Sequence, residues 1–577
     1  MEETHFNAVI VGSGFGGSVM AYKLREAGLS VCVLERGRKY PPGSFPRSPF
    51  RMGKNFWDPS RGLHGMFNIW SFRRMAAIVS SGVGGGSLIY SNVLLRKPEK
   101  TFVEEDDDGS YIPWPVTYKD LEPHYGEVEK MMNVQQYPFD SEKARQSAQY
   151  PFDDDPYNNT RKTRELMLAA DRLGLEWYLP NLAVTFHNPH EPPMTGEPIK
   201  ENLKNMHQRT RYTCRLCGEC NVGCNFGSKN TLDYTYLSAA ERAGVSIRDR
   251  CEVRSFSPME SRGYRIEYVN HHDAIDWKDR DTSELPLHTL TADRLILAAG
   301  TFGSTFLMLK NRSRFPKLGK ALGTRFSGNG DILTILLNAR TGPGYNRVPR
   351  IFETGYGPVI TSTIKVKDKL EGGEGRGFYI QDAGFPDFGN WIFEILDSAG
   401  LLTRGARFAK RVVRQALGII TDSDLSAEVA DVLGPAVTSS STLPLLGMGR
   451  DVPDGRMTLT CDGMLDLDWT KGRSREFFKG LRRTAKRLAE VTDATFVDNP
   501  IWYIRRFVTV HPLGGCPMGH NKSDGVVNSY GQVFNYPGFY ITDGSIVPGS
   551  VGPNPALTIA AITNRAAEQI IESLSRR

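Results

Sequence analysis

The sequence predicts an α/β (α+β) fold: a Rossmann-like nucleotide-binding domain assembled from separated segments, with an inserted substrate domain built on a β-sheet flanked by helices. Three observations carry this prediction. The chain opens on "AVIVGSGFGGSVMAYKL", a strand, a glycine turn and a helix; "DRLILAAGTFGSTFLMLK" repeats the strand-to-helix pattern at 293–310; and "FYITDGSIVPGSVGPNPALTIAA" does so again near the end. Buried strands alternating with helices are the pattern of a parallel sheet covered on both faces.

Residues 8–11 read as a buried strand, 17–27 as a helix and 31–34 as a second strand ending in Glu35, a βαβ unit. Gly12, Gly14 and Gly17 fit G-x-G-x-x-G across its turn. The first permits the tight turn, the second lets backbone approach a pyrophosphate, and the third lets helix and strand pack closely. The helix N-terminus adds partial positive charge for the phosphates. Glu35 stands where a carboxylate accepts both ribose hydroxyls. Strand, helix and acid together predict a bound dinucleotide; a glycine-rich structural turn is the plainer alternative.

From about residue 100 the character changes. "EEDDDGS" is a solvated acidic loop, and "YPFDDDPYNNT" and "HNPHEPPMTGEP" are Pro- and Asn-rich connections. A helix at 232–243 and the strand of "DRLILAAG" return to the nucleotide-domain pattern, and residues from about 336 carry strands and a helical insertion. The predicted division is 1–100, first nucleotide-binding segment; 101–209, first part of a substrate or cap domain; 210–335, second nucleotide-binding segment with a Cys-rich insertion; 336–504, second part of the substrate domain; and 505–577, third nucleotide-binding segment.

A chain of 577 residues calls for two or more domains. Apolar residues at 40% and charged residues at 24% are those of an ordinary globular protein. A net charge of +6 without a Lys/Arg block argues against nucleic acid as a partner. The N-terminus lacks the basic and apolar regions of a signal peptide, and no uninterrupted apolar run reaches about 18 residues, which predicts a cytoplasmic protein. Four of the eight cysteines fall within 214–224, which suits a reducing compartment better than a disulfide framework.

"SSGVGGGSLIYSN" at 80–92 is a second glycine-rich stretch, of the kind that lies flat against a ring system. With the segments above, "WPVTYKDLEPHY", "GSKNTLDYTYL", "LLGMGRDVPDGRMTL" and "HPLGGCPMG", it resembles the glucose-methanol-choline (GMC) flavin oxidoreductases, and within them the bacterial cholesterol oxidase-like branch. The matches run in order along nearly the whole chain. The resemblance implies FAD, with Glu35 on the adenosine ribose, Val253 near the adenine, and Gly84, Gly85 and Asn92 beside the flavin. Gly300, Asp543 and Gly544, and a helix from about Pro555 whose positive end faces the flavin pyrimidine, complete the predicted cofactor contacts.

Oxidising an alcohol on a flavin needs a group that takes the hydroxyl proton, and histidine suits neutral pH. The resemblance puts His511 and Asn554 in that place: His511 positions and deprotonates the hydroxyl, and Asn554 donates a hydrogen bond to its oxygen or to the flavin edge. His124 and His520 have no such support, and Asp382 and Glu394 are the candidates for an additional acidic base.

Cys214, Cys217, Cys220 and Cys224 are spaced C-x2-C-x2-C-x3-C, a ferredoxin-like run. Three readings stay open: an iron-sulfur cluster passing electrons outward, a structural zinc site, and a turn packed with free thiols. The Pro that follows the fourth cysteine in ferredoxins is absent, with Asn225 in its place. The stretch 390–420 joins apolar residues to a basic helix, which suits a peripheral membrane contact, or else a helix with its apolar side on the domain. The predicted function is FAD-dependent oxidation of a hydroxyl to a carbonyl on a steroid or other bulky lipophilic alcohol, with oxygen or an external electron acceptor. The alternatives are an iron-sulfur-containing dehydrogenase of an aryl alcohol, polyol or sugar, and a non-redox lyase or decarboxylase on the same fold.

Overall fold

The computed structural model describes residues 4–47, 53–105, 110–147, 149–273, 282–342, 347–386, 437–470, 472–498 and 507–575. The elements that position the site are, in chain order, β1 (His5–Val11), α1 (Phe15–Glu26), β2 (Val31–Leu34), β3 (Met75–Ser80), α2 (Tyr118–Met131), β4 (Glu176–Tyr178), α3 (Tyr236–Arg242), β5 (Ser246–Arg248), β6 (Cys251–Pro258), β7 (Tyr264–Asn270), β8 (Leu287–Leu297), α4 (Gly300–Lys310), β9 (Ile332–Leu337), β10 (Thr363–Val366), β11 (Phe378–Asp382), β12 (Leu443–Gly449), α5 (Arg475–Val491), β13 (Thr495–Asp498), β14 (Phe507–Thr509), β15 (Phe539–Ile541) and α6 (Ala556–Ser575).

The first large sheet has the order β5-β2-β1-β8-β7-β6, with β15 also on β8. Strands β5, β2, β1, β8 and β15 run parallel, and β6 and β7 return antiparallel. Strand β8 is long enough to serve two partners on one edge: residues 287–292 pair with β7 and 295–297 with β15. The strands predicted from apolar runs are buried end to end where the sheet is covered twice, as in β2. Helices α1 and α6 pack on one another, and α2 packs on α6. This is the Rossmann-like part, and its strands come from three separated stretches of the chain.

The second sheet, β4-β10-β11-β12-β9-β13, is antiparallel throughout. Helix α5 buries Phe477, Phe478, Leu481, Ala485 and Leu488, an i, i+4 stripe that meets Ile332, Leu336, Ile380 and Leu445 from the sheet. A small three-stranded sheet joins β14 in parallel to β3 and leads directly into the segment that carries His511.

The helix predicted at 232–243 begins only at Tyr236. The hydroxyl of Ser87 accepts the Leu232 N–H, and turns at 231–235 replace the first helical turn. The stretch 390–420, with Glu394, lies outside the described residues. Among the described residues, no helix is long and apolar enough to cross a membrane.

Candidate active site

The glycine fingerprint is held by close packing. A Cβ on Gly12 would stand 2.4 Å from the Ala298 carbonyl oxygen, and one on Gly17 would stand 2.0 Å from the Gly12 oxygen, so only glycine permits these approaches. Gly14 differs: nothing lies within 4 Å of where its Cβ would be. Helix α1 has no side-chain cap and no acidic residue in its first turn, leaving its N-terminal amides to an anion. Glu35 is buried, and its Oε2 accepts from Ser13 N (3.0 Å) and Ser13 Oγ (2.7 Å), its Oε1 from Gly37 N (2.8 Å). The carboxylate is thereby tied to the fingerprint turn.

The other predicted cofactor residues gather around this turn. Gly84 N donates to Ser13 Oγ (3.1 Å), and a Cβ on Gly85 would meet Gly14 Cα at 2.6 Å, so the 84–92 stretch lies against the fingerprint. Val253 is buried on β6, whose first residue, Cys251, donates its N–H to the Glu35 carbonyl (2.8 Å). Gly300 N donates to Asp543 Oδ2 (2.9 Å), and Gly514 N to the Gly544 carbonyl (3.0 Å), which connects α4, the 543–545 turn and the segment after His511. Burial raises the Asp543 carboxyl above the usual range. Asn92 is fully buried with both amide atoms lacking a partner in the protein. An orphaned buried amide beside an open glycine cradle and an uncapped helix is a donor set that fits FAD. Pro555 stands directly before α6, and its carbonyl accepts the Ile559 N–H (3.0 Å).

His511 Nδ1 lies 2.8 Å from Asp331 Oδ1. Asp331 Oδ2 also accepts the backbone N–H groups of Val510 (2.8 Å) and His511 (3.0 Å) and the Thr509 hydroxyl (2.8 Å). A carboxylate facing Nδ1 requires the proton there, which leaves the Nε2 lone pair as the acceptor. The His511 side chain is 16% exposed and that of Asp331 2%, so the ring keeps access to solvent while its anchor does not. Asn554 is buried, and its Oδ1 accepts from Gln381 Nε2 (2.9 Å), whereas its Nδ2 has only a 3.5 Å contact to Gln381 Oε1. That leaves an amide donor for a further partner. Residues Asp331, Asn329 and Gln381 carry no motif; the only sequence signal for the first two is the small-residue turn "SGNGD".

Asp382 is not the acidic base. Side chains alternate along β11, so Asp382 points away from the face that Gln381 gives to Asn554. It ends in a fully buried ion pair with Lys162 (3.0 Å) and accepts from the N–H and hydroxyl groups of Thr361 and Ser362. His124 packs between α2 and α6 with Asn564 and Glu568, and His520 is exposed.

The four cysteines line one cavity of about 20 Å³ together with Lys229, Gly357 and Pro358. A tetrahedral zinc ion needs sulfurs about 3.8 Å apart; among the described residues no three of these sulfurs lie within 4.8 Å of one another, so the zinc reading fails. Burial pushes the Cys214 thiol well up and the Cys217 thiol up to about 12. Lys229 is fully buried, and its Nζ donates to the carbonyls of Leu88 (2.9 Å), Tyr90 (3.0 Å) and Cys220 (2.8 Å). With the Ser91 hydroxyl on Asn221 Oδ1 (2.6 Å), this staples the cysteine loop to the back of the 84–92 stretch.

Residues 454–563 match the family model described as GMC oxidoreductase, and 10–67 match an NAD(P)-binding Rossmann-like domain. The chain is 28% identical to a cholesterol oxidase of Mycobacterium tuberculosis over 97% of this chain and 90% of the relative, and 25% identical to one of Acinetobacter baumannii over 98% and 94%. It is 22% identical to 2-methyl-1,2-propanediol dehydrogenase of Mycolicibacterium austroafricanum over 99% and 96%. Among solved structures, a fungal aryl-alcohol oxidase superposes with a TM-score of 0.56 at 14% identity over 100% of both chains, and the pyridoxine 4-oxidase of Mesorbium loti with 0.54 at 15% over 98% of both, which shows the shared fold.

Proposed function

From the premise that the chain is a GMC oxidoreductase, an FAD-dependent alcohol oxidoreductase, we propose that it oxidises a CH–OH group to a carbonyl, on a steroid or another bulky lipophilic alcohol. The observation that carries this is the His511–Asp331 pair, a histidine with its Nδ1 held by a buried carboxylate and its ring still partly exposed. FAD would be held by the Gly12–Gly14–Gly17 turn, Glu35, Gly84, Gly85, Asn92, Val253, Gly300, Asp543, Gly544 and the helix after Pro555, and when bound it supplies the two-electron acceptor. His511 Nε2 takes the hydroxyl proton, and the buried Asp331 charge stabilises the imidazolium that results. Asn554 Nδ2–H donates to the substrate oxygen and orients the carbinol carbon. Relatives described as cholesterol oxidases, matched over nearly the full chain, favour the lipophilic substrate class.

The test is anaerobic mixing of the holoenzyme with cholesterol in detergent, decan-1-ol, benzyl alcohol and glucose, following flavin absorbance. Bleaching by the first two, with the ketone or aldehyde formed in equal amount, supports the proposal; bleaching by benzyl alcohol or glucose alone moves the substrate class. Turnover of a substrate with the flavin unbleached means a lyase.

A second reading concerns the electron acceptor. The four thiols line a cavity of about 20 Å³, room for about one water and not for an iron–sulfur core, which favours free thiols on a loop stapled by Lys229 to the predicted flavin wall. Free thiols leave oxygen or a soluble acceptor. Iron content per FAD in protein purified without oxygen separates the two: three or four irons mean the cluster, none means thiols.

A further inference from the structure

The groups that hold His511 and the backbone immediately before Asn554 belong to one turn. Residues 327–331 read Ser-Gly-Asn-Gly-Asp and directly precede β9. Asn329 sits in this turn with φ 53, a left-handed conformation that asparagine tolerates better than other side chains, followed by Gly330 at φ 66. Fully buried, Asn329 donates Nδ2–H to the carbonyls of Gly552 (3.3 Å) and Pro553 (3.1 Å) and accepts the Gly552 N–H at Oδ1 (3.0 Å). These are the backbone groups immediately before Asn554. Two residues further along the same turn, Asp331 holds His511.

The turn has little freedom of its own. Ser327 exchanges both backbone hydrogen bonds with Leu513 (3.0 and 2.9 Å), Gly449 N donates to the Asn329 carbonyl (2.9 Å), and a Cβ on Gly330 would meet the Phe477 ring at 2.5 Å. One rigid turn therefore carries the anchor of the base on one arm and the anchor of the amide on the other. A loop held for stability alone has no need of the turn that also orients the histidine.

We propose that Asn329 is a positioning residue for the alcohol oxidation: acting through residues 552–553, it sets where the Asn554 amide stands relative to His511. The proposal rests on the reading that those two side chains act on the hydroxyl. Asn329→Gly deletes the side chain while keeping the left-handed backbone unstrained, and Asn329→Asp keeps the acceptor for Gly552 N–H while removing both donations.

Holoenzyme of each variant, and of His511→Ala, is mixed anaerobically with whichever of the four alcohols bleaches the wild-type flavin fastest, over a range of concentration and pH. The expected result for Asn329→Gly is a limiting rate of flavin reduction lowered roughly 10- to 100-fold, with FAD content, half-saturating alcohol concentration and pH midpoint unchanged, and the same direction for Asn329→Asp. A wild-type limiting rate per bound FAD in either folded variant, with only melting temperature or yield lowered, overturns the proposal and makes Asn329 structural. If His511→Ala keeps the wild-type rate, or no alcohol bleaches the wild-type flavin, the reading of the site falls and this proposal falls with it.

Discussion

Asp331 holds His511 at both ends of the residue: Oδ1 faces the ring Nδ1 at 2.8 Å while Oδ2 accepts the backbone N–H at 3.0 Å. Backbone and ring are therefore fixed by the same buried carboxylate, and ring rotation costs the interaction that selects the tautomer. An amide in its place can still accept the backbone N–H groups through its oxygen, so the segment keeps its path, but its NH₂ now faces Nδ1 and drives the ring proton to Nε2.

That substitution gives the first prediction. Asp331→Asn should keep FAD bound and lower flavin reduction by the alcohol on the order of 10²- to 10⁴-fold, because Nε2 turns from acceptor to donor. Stopped-flow absorbance under nitrogen reads it. A rate within a few-fold of wild type would remove Asp331 from any part in orienting the base.

The fingerprint glycines should separate folding from cofactor binding. Gly14→Ala meets nothing of the protein within 4 Å, so the chain should fold and the new methyl should intrude where FAD binds. Gly17→Ala drives a Cβ to 2.0 Å from the Gly12 carbonyl and should break the βαβ unit itself. The FAD-to-protein absorbance ratio falls in both variants, but only Gly14→Ala should keep a cooperative melt without added flavin.

The buried pair of Asp382 and Lys162 tests the opposite case, a carboxylate in the same strand as a site residue but not of the site. Asp382→Asn leaves the Lys162 ammonium without its counter-charge at 0% exposure, and should destabilise the protein by about 3–5 kcal/mol in urea unfolding. Flavin reduction per folded molecule should change less than about threefold, a difference under 1 kcal/mol. A large kinetic effect with intact stability would return Asp382 to the list of bases.

These contrasts follow the line between what the sequence makes legible and what it does not. Gly12, Gly17 and Glu35 were readable because close backbone approach admits only glycine and because the acid follows the strand at a fixed remove. His511 and Asn554 stand out in the sequence only through the ordered matches at the C-terminal segment. Their supports do not: Gln381 and Asp331 reach them from 173 and 180 residues away in the chain, and Asn329 reaches Gly552, just before Asn554, from 223, distances over which no periodicity runs. Asp382 misled because a strand alternates its faces, and which face meets the site is decided by the sheet's packing and not by the residue. The cysteines gave their spacing but not their separation in space, which is what removes the zinc site.

The last prediction concerns pH, through Asp451, which ties the 327–331 turn to the segment preceding Asn554. Its Oδ1 accepts from the hydroxyls of Ser327 (2.5 Å) and Ser550 (2.6 Å), and its Oδ2 from Gly328 N (3.1 Å), in a fully buried place. Burial pushes its carboxyl up to about 6, the hydrogen bonds holding it only partly back. An acid raised in the folded state keeps its proton where the unfolded chain has released it, so this group's contribution to stability is greatest below about pH 4 and falls as pH rises to about 6, levelling above. Two units correspond to about 3 kcal/mol. Asp451→Asn cannot titrate, so the stability of the variant minus that of the wild type should rise across pH 4 to 6.5 by up to that amount, read from urea unfolding midpoints with both proteins in the same buffers. Taking the difference cancels every other carboxylate. A difference flat within about 0.5 kcal/mol would mean that its hydrogen bonds keep Asp451 ionised throughout, and that the turn holds the segments carrying His511 and Asn554 on a buried charge rather than on a shared proton.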